Sequence, residues 1–233
     1  MGSKKAPKNK YVKDSHLSER KFGELPRLFR ADATALSAAS PTGLNRNTVN
    51  RHHGMPRARI AEACEADSPF DGEAEADGSC FGARRARGVR GRGARGKAIA
   101  FGLLKRGGKV CTRIVPDVTR RTSTRVVEGR ASKDPIMCTD GFAPCDGLVD
   151  WGHKHHCRVS HGENGFVERG NPGDHIDGIE SFWGYVKNRL VRCQGMPKED
   201  FYPHLKECEF RFNMRGRDMY RFMLRELRER PLN

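Results

Sequence analysis

Three acidic residues, far apart in the chain, stand where metal chemistry is easiest to build: Asp77, Asp140 and Glu180. Asp77 falls in EAEADGSCF, an alternating segment in which Glu73 and Glu75 share its face. Asp140 ends the apolar run PIMCT and is followed at once by Gly141. Glu180 lies in HIDGIESFWGYVKNRL, at the border of a helical stripe made by Ile179, Phe182, Trp183 and Val186; Lys187 follows two turns later on the same side. Carboxylates without histidine or cysteine partners favour hard cations, Mg²⁺ or Mn²⁺. Two such ions, about 3.5–4 Å apart, activate a water or a 3′-hydroxyl and stabilise the leaving oxygen of an in-line phosphodiester displacement. Any one of these acids, taken singly, is more often a surface charge. The combination carries the expectation.

The elements that must bring them together are legible as alternation and helical period. EAEADGSCF, AIAFGLL and KVCTRIV predict three strands, the last two joined by a tight turn at Arg106-Gly107-Gly108. A short helix is expected around 120–130, a strand ending at Asp140, and a short fifth strand in HHCRVS. Helices follow over about 177–193, 198–214 and 217–229. Together these predict a mixed α/β domain over residues 67–233, with a boundary at Asp67-Ser68-Pro69.

Ahead of it, residues 1–14 are lysine-rich and predict a disordered basic arm, and residues 15–66 a small all-α domain. LSERKFGELPRLFR gives a first helix with Ser15 as its N-cap and a bend or interruption at Pro26. An Ala-rich helix then reaches a turn at Pro41-Thr42-Gly43. A second helix from about Leu44 exposes Asn45, Arg46, Asn47, Asn50 and Arg51. This is helix-turn-helix logic, with polar side chains for base edges and arginines for phosphates; a plain helical hairpin fits the pattern equally.

Charge points to the partner. Lys plus Arg number 44 against 29 Asp plus Glu, a net +15, with pI near 9.8 and mean hydropathy −0.75. Such a surface suits a polyanion, because each neutralised phosphate releases a counterion. A membrane fits less well: no apolar run nears the roughly 18 residues of a spanning helix. MGSKKAPKNK lacks a secretory apolar region, and Ala6 breaks the myristoylation pattern. The eight cysteines show no C-x₂₋₄-C spacing and read as reduced thiols of a cytoplasmic, nucleoid-associated protein. RRARGVRGRGARGK, with Arg84, Arg85, Arg90, Arg92, Arg95 and Lys97, predicts a phosphate-gripping loop between strands, or else a single-stranded RNA binder. His153, His155, His156, Cys157 and His161 invite a zinc reading, but no regular four-ligand spacing supports it. Tyr185, Tyr202 and Tyr220 would be the nucleophiles of a covalent recombinase, but they lie on expected helices with hydrophobic neighbours, so core packing explains them.

TGLNRNTVNR, DGSCFGARR, GRGARGK, FGLLKRGGKV, CTDGF, HIDGIESFWGYVKNRL and HLKECEFRFNMR resemble bacterial insertion-sequence transposases of the DDE type, the ISXO2-like, Merlin-related branch. The similarity runs from about residue 15 to the C-terminus. It implies a ribonuclease-H-like mixed sheet with flanking helices, preceded by a helix-turn-helix domain that recognises terminal inverted repeats. It also implies Asp77, Asp140 and Glu180 as catalytic metal ligands for two Mg²⁺ or Mn²⁺ ions, and Lys187 as a DNA contact beside them. The expected partners are double-stranded DNA at element ends and target, and further copies of the chain in a synaptic homo-oligomer. Gly78 and Cys80 depart from the acidic and aromatic residues usual after the first aspartate; Cys145, Asp177 and Pro41 depart as well. These departures leave a second reading open, a co-opted chain that binds DNA without cutting it.

Overall fold

The computed structural model describes residues 9–13, 15–66, 73–82, 97–105, 108–117, 119–128, 136–139, 156–158, 177–193 and 195–231. The chain divides into two compact units, residues 1–65 with 214–233, and residues 66–213.

The first unit is helical. Its elements are α1 (Glu19–Arg30), α2 (Ala35–Thr42), α3 (Arg46–Ala66) and α7 (Met219–Glu229). Ser18, not Ser15, caps α1: its hydroxyl accepts the Lys21 N–H at 3.3 Å, while Ser15 accepts from Leu17 before the helix begins. Pro26 neither breaks nor ends α1. It is itself buried among Phe22, Leu25 and Phe29, so side-chain burial holds the helix through the missing N–H. Pro41 likewise lies inside α2, and the turn begins at Gly43, two residues later than the sequence suggests. Gly43, at φ 62°, takes the left-handed C-cap position that glycine occupies without a Cβ penalty. The C-terminal stretch 217–229, expected with the larger unit, packs on α1 instead. Met219, Met223 and Leu227 form its buried stripe, and Leu227 meets Val12 and Phe22.

His52, on the buried side of α3, packs edge-on against Phe22 with ring centroids 5.9 Å apart. Burial, helped by neighbouring Arg51, holds its imidazole below the usual 6.5. The fold therefore favours the neutral ring, while an unfolded chain protonates first. The unit is expected to lose stability as the pH falls through 6.5 towards the lower folded value. Thermal melts of the wild type and His52→Leu across that range check this: the variant's curve should be the flatter.

The second unit is a five-stranded mixed sheet with helices on both faces. It comprises β1 (Glu73–Phe81), β2 (Ala98–Lys105), β3 (Val110–Val115), α4 (Arg120–Glu128), β4 (Ile136–Thr139), β5 (His156–Arg158), α5 (Asp177–Leu190), a 3-10 turn (Val191–Cys193) and α6 (Lys198–Asn213). The strand order is β3-β2-β1-β4-β5; β1, β2 and β3 pair antiparallel, while β4 joins β1, and β5 joins β4, in parallel. Alternation divides the residues cleanly. Ala74, Ala76, Phe101, Leu103, Cys111 and Val115 pack towards Val127 of α4. Ala100, Leu104 and Val110 pack towards Ile179, Phe182, Trp183 and Val186 of α5, and Phe201, Leu205 and Cys208 of α6.

α6 also finishes the sheet's β3 edge. An edge strand carries unpaired backbone groups that must find partners when buried. Asn213 accepts the Val110 N–H at 2.7 Å and donates to the Val110 carbonyl at 2.8 Å. Glu209 accepts both the N–H and the hydroxyl of Thr112, at 2.8 and 2.6 Å. Lys206 donates to the Thr112 carbonyl at 2.7 Å and to Glu209 at 3.0 Å. Three side chains of one helix thus serve as a neighbouring strand. A second buried cluster ties α5 to α6 through Arg189 and Glu207, with Arg211 2.8 Å from the same carboxylate.

Candidate active site

Asp77 stands near the middle of β1, half-buried, on the face that α5 and α6 cover. Its carboxylate accepts the N–H of Gly78 at 2.7 Å. Two residues earlier on the same face, Glu75 is only 4% exposed, and it accepts the N–H of Ile179 at 2.8 Å in the first turn of α5. That bond fastens the start of α5 to β1, and Glu180 is the very next residue. A helix N-terminus leaves unsatisfied N–H groups and a partial positive charge, so a buried carboxylate is a natural anchor there. Glycines let the approach be this close. A Cβ on Gly178 would lie 2.4 Å from Leu104 Cδ2 and 3.0 Å from a Glu75 oxygen. Gly102, the β2 partner of Asp77, would meet Trp183 at 2.7 Å and Ile179 at 3.0 Å. The turn of α5 bearing Glu180 therefore lies over the strand pair bearing Asp77.

Glu180 is exposed beside the buried Ile179, Phe182, Trp183 and Val186, and Lys187 is exposed two turns on, as the stripe predicts. Asp140 lies outside the described residues. The last described β1–β4 pair is Ala76 with Thr139, and the two aspartates each follow one member of that pair in the chain. Among the described residues no group of three or more histidine, cysteine or acidic side chains is placed to hold a metal ion. The donor chemistry nevertheless fits a hard cation, since Asp77 and Glu180 offer only oxygens. Of the zinc candidates, only His156 and Cys157 are described, as backbone of β5.

In the basic segment, Arg84, Arg85, Arg90, Arg92 and Arg95 lie outside the described residues, and Lys97 is exposed. Gly82, at φ 151°, comes close to Lys97: an added Cβ would sit 3.0 Å from Lys97 Cγ. The ends of the segment thus meet where β1 leaves and β2 begins. In the helical unit, Asn45, Arg46, Asn47, Asn50 and Arg51 are all exposed. Asn45 also has a local duty: its side-chain Oδ1 accepts the Asn47 N–H at 2.8 Å, capping α3. Tyr185 packs with Phe212, and Tyr220 sits beneath the Arg27 guanidinium.

Sequence reasoning placed Glu75 beside Asp77 but gave it no task. The one available signal was a second acid at an i, i+2 spacing on a strand whose face must be covered.

A central strand and a helix docked on it, each presenting an acid, define a mixed α/β domain joined to a basic helical unit. Residues 69–213 match the ISXO2-like transposase domain, and the chain belongs to that family. It is 38% identical over 105 residues to a Haemophilus influenzae protein described as an uncharacterized transposase-like protein, covering 45% of this chain and 81% of that one. Among solved structures it is similar to the catalytic core domain of BIV integrase, at 12% identity and a TM-score of 0.39, over 66% of this chain and 93% of that one. Among the described residues no helix is long and apolar enough to cross a membrane.

Proposed function

We propose that this chain is a DDE transposase whose Asp77, Asp140 and Glu180 hold divalent metal on a ribonuclease-H-like core. The observation that carries the reading is the Glu75–Ile179 bond, which fixes the start of α5, the turn that carries Glu180, to the strand that carries Asp77. The parallel β1–β4 register supports it, because Asp77 and Asp140 both follow paired residues.

The bound metal would lower the barrier to phosphodiester hydrolysis by activating the nucleophile and stabilising the leaving oxygen. The chain's own residues supply the rest. Asp77 is carried by a central strand and Glu180 by the helix docked on it. Lys187 holds a phosphate beside them, and the arginine–glycine segment with Lys97 grips flanking backbone. Arg46, Asn47 and Arg51 of α3 read the terminal inverted repeats through a helix-turn-helix formed with α2, and two copies or more bring the ends together. Cleavage exposes 3′-hydroxyls that are then directed onto target DNA.

The test is a nicking assay on duplex DNA carrying the element's ends. Strand cleavage should appear with Mg²⁺ or Mn²⁺ and vanish with EDTA, while end binding persists. Cleavage that survives chelation refutes the metal reading. End binding without cleavage in either metal favours the second reading, a DNA-binding protein without chemistry, which the departures at Gly78 and Cys80 motivate.

A further inference from the structure

The helical unit concentrates the chain's charge. It holds 19 Lys and Arg against 9 Asp and Glu, a net +10 of the total +15. Part of that charge sits on α7, which lies beyond the family-matched residues 69–213 and has no role in the reading above.

α7 has two opposed faces. Met219, Met223 and Leu227 are buried. Arg221, Arg225 and Arg228 are exposed, and their i, i+4, i+7 spacing puts them in one stripe opposite the buried one. The acids nearest this stripe neutralise it only in part. Asp218 accepts the Arg221 backbone N–H as the N-cap of α7 and pairs with the Arg221 Nε at 3.4 Å, yet the Arg221 side chain stays 87% exposed. Glu226 is engaged by Arg230 at 2.9 Å. Glu62 pairs with Arg59 at 2.9 Å and Arg230 at 3.4 Å.

We propose that the Arg221–Arg225–Arg228 stripe is a second phosphate-binding surface of the helical unit, one that grips the backbone of duplex DNA without reading its sequence. The proposal rests on the DNA-binding reading of that unit. Three observations select this occupant. Every cation of the stripe is arginine, whose planar fork suits phosphate oxygens bidentately. The stripe runs about 10.5 Å along the helix axis, against an axial advance of about 3.4 Å per phosphate on one DNA strand, so it spans about three phosphates. The apolar face of α7 is already covered by Val12, Phe22 and the rest of its unit, so the helix has no free hydrophobic side to lay into a lipid surface.

The experiment compares full-length wild type, the triple variant Arg221→Gln/Arg225→Gln/Arg228→Gln and the α3 variant Arg46→Gln/Arg51→Gln. Each binds element-end duplex, unrelated duplex and single-stranded RNA over a salt series, with circular dichroism checking the fold. The α7 variant should weaken on both duplexes by a similar factor, and its slope of log affinity against log salt should become shallower by about 3, roughly one per lost phosphate contact. An unchanged slope in a variant whose parent binds duplex DNA overturns the stripe and leaves the α3 reading standing. A loss confined to element-end duplex overturns the sequence-independent role, and a loss confined to RNA overturns the choice of duplex. A wild type that binds no duplex at low salt refutes the DNA-binding reading itself, and the stripe with it.

Discussion

Lys206→Met is expected to lower the stability of the larger unit by about 3–5 kcal/mol, the usual cost of stripping one partner from a buried ion pair. The Lys206 side chain is wholly buried, and its ammonium is shared between the Thr112 carbonyl and the Glu209 carboxylate. Methionine fills a similar volume but leaves that carbonyl without its donor and the carboxylate without its cation. At roughly 2–4 °C per kcal/mol for a unit of this size, the melting temperature should drop by about 6–20 °C. The pH dependence gives the loss a signature. Burial pushes the Glu209 carboxyl above its usual value, and Lys206 is the largest opposing influence. Removing Lys206 raises it further, and an acid whose folded value is raised becomes destabilising as the pH climbs past its unfolded value. The deficit should therefore grow as the pH climbs above 4.5 and shrink as it falls back towards that value. Calorimetry of both proteins at several pH values measures it. Equal melting temperatures at neutral pH would show that the α6–β3 edge is not held in this way.

Asp77→Ala and Glu180→Ala are each expected to slow metal-dependent strand cleavage by roughly 10³-fold. The figure follows from the several kcal/mol that a catalytic metal supplies to the transition state, at 1.36 kcal/mol per tenfold. Duplex affinity without metal should hold or rise slightly, because each change removes a negative charge near the phosphates. Asp140→Ala should behave alike if the three acids work as one group. The decisive readout is cleavage rate at saturating DNA across a Mn²⁺ series. A variant that keeps wild-type cleavage removes that residue from the site.

The sheet was legible because alternation survives in EAEADGSCF and AIAFGLL, where one face meets α4 and the other α5. The α5 stripe was equally plain, since all four of its apolar positions are buried. What could not be read depends on tertiary partners. Pro26 and Pro41 look like breaks, yet each sits within a helix that packing holds together. Lys206 and Glu209 look like surface charges, and only the β3 edge explains their burial. Glu75 gains a task only when the start of α5 arrives more than 100 positions later in the chain. The period of α7 is clear, but nothing local says which core it will join.

The return of α7 to the first unit has a consequence for how the protein is made. Phe22 packs against Leu227, so that core cannot close until residue 227 has been made. At about 5–20 residues per second, the interval between residue 65 and residue 227 is roughly 8–32 s. During that time residues 66–213 are free to fold, while the basic helices ahead of them lack their last member. A chain that stops short of α7 would hold residues 66–213 beside a first unit whose core lacks Leu227.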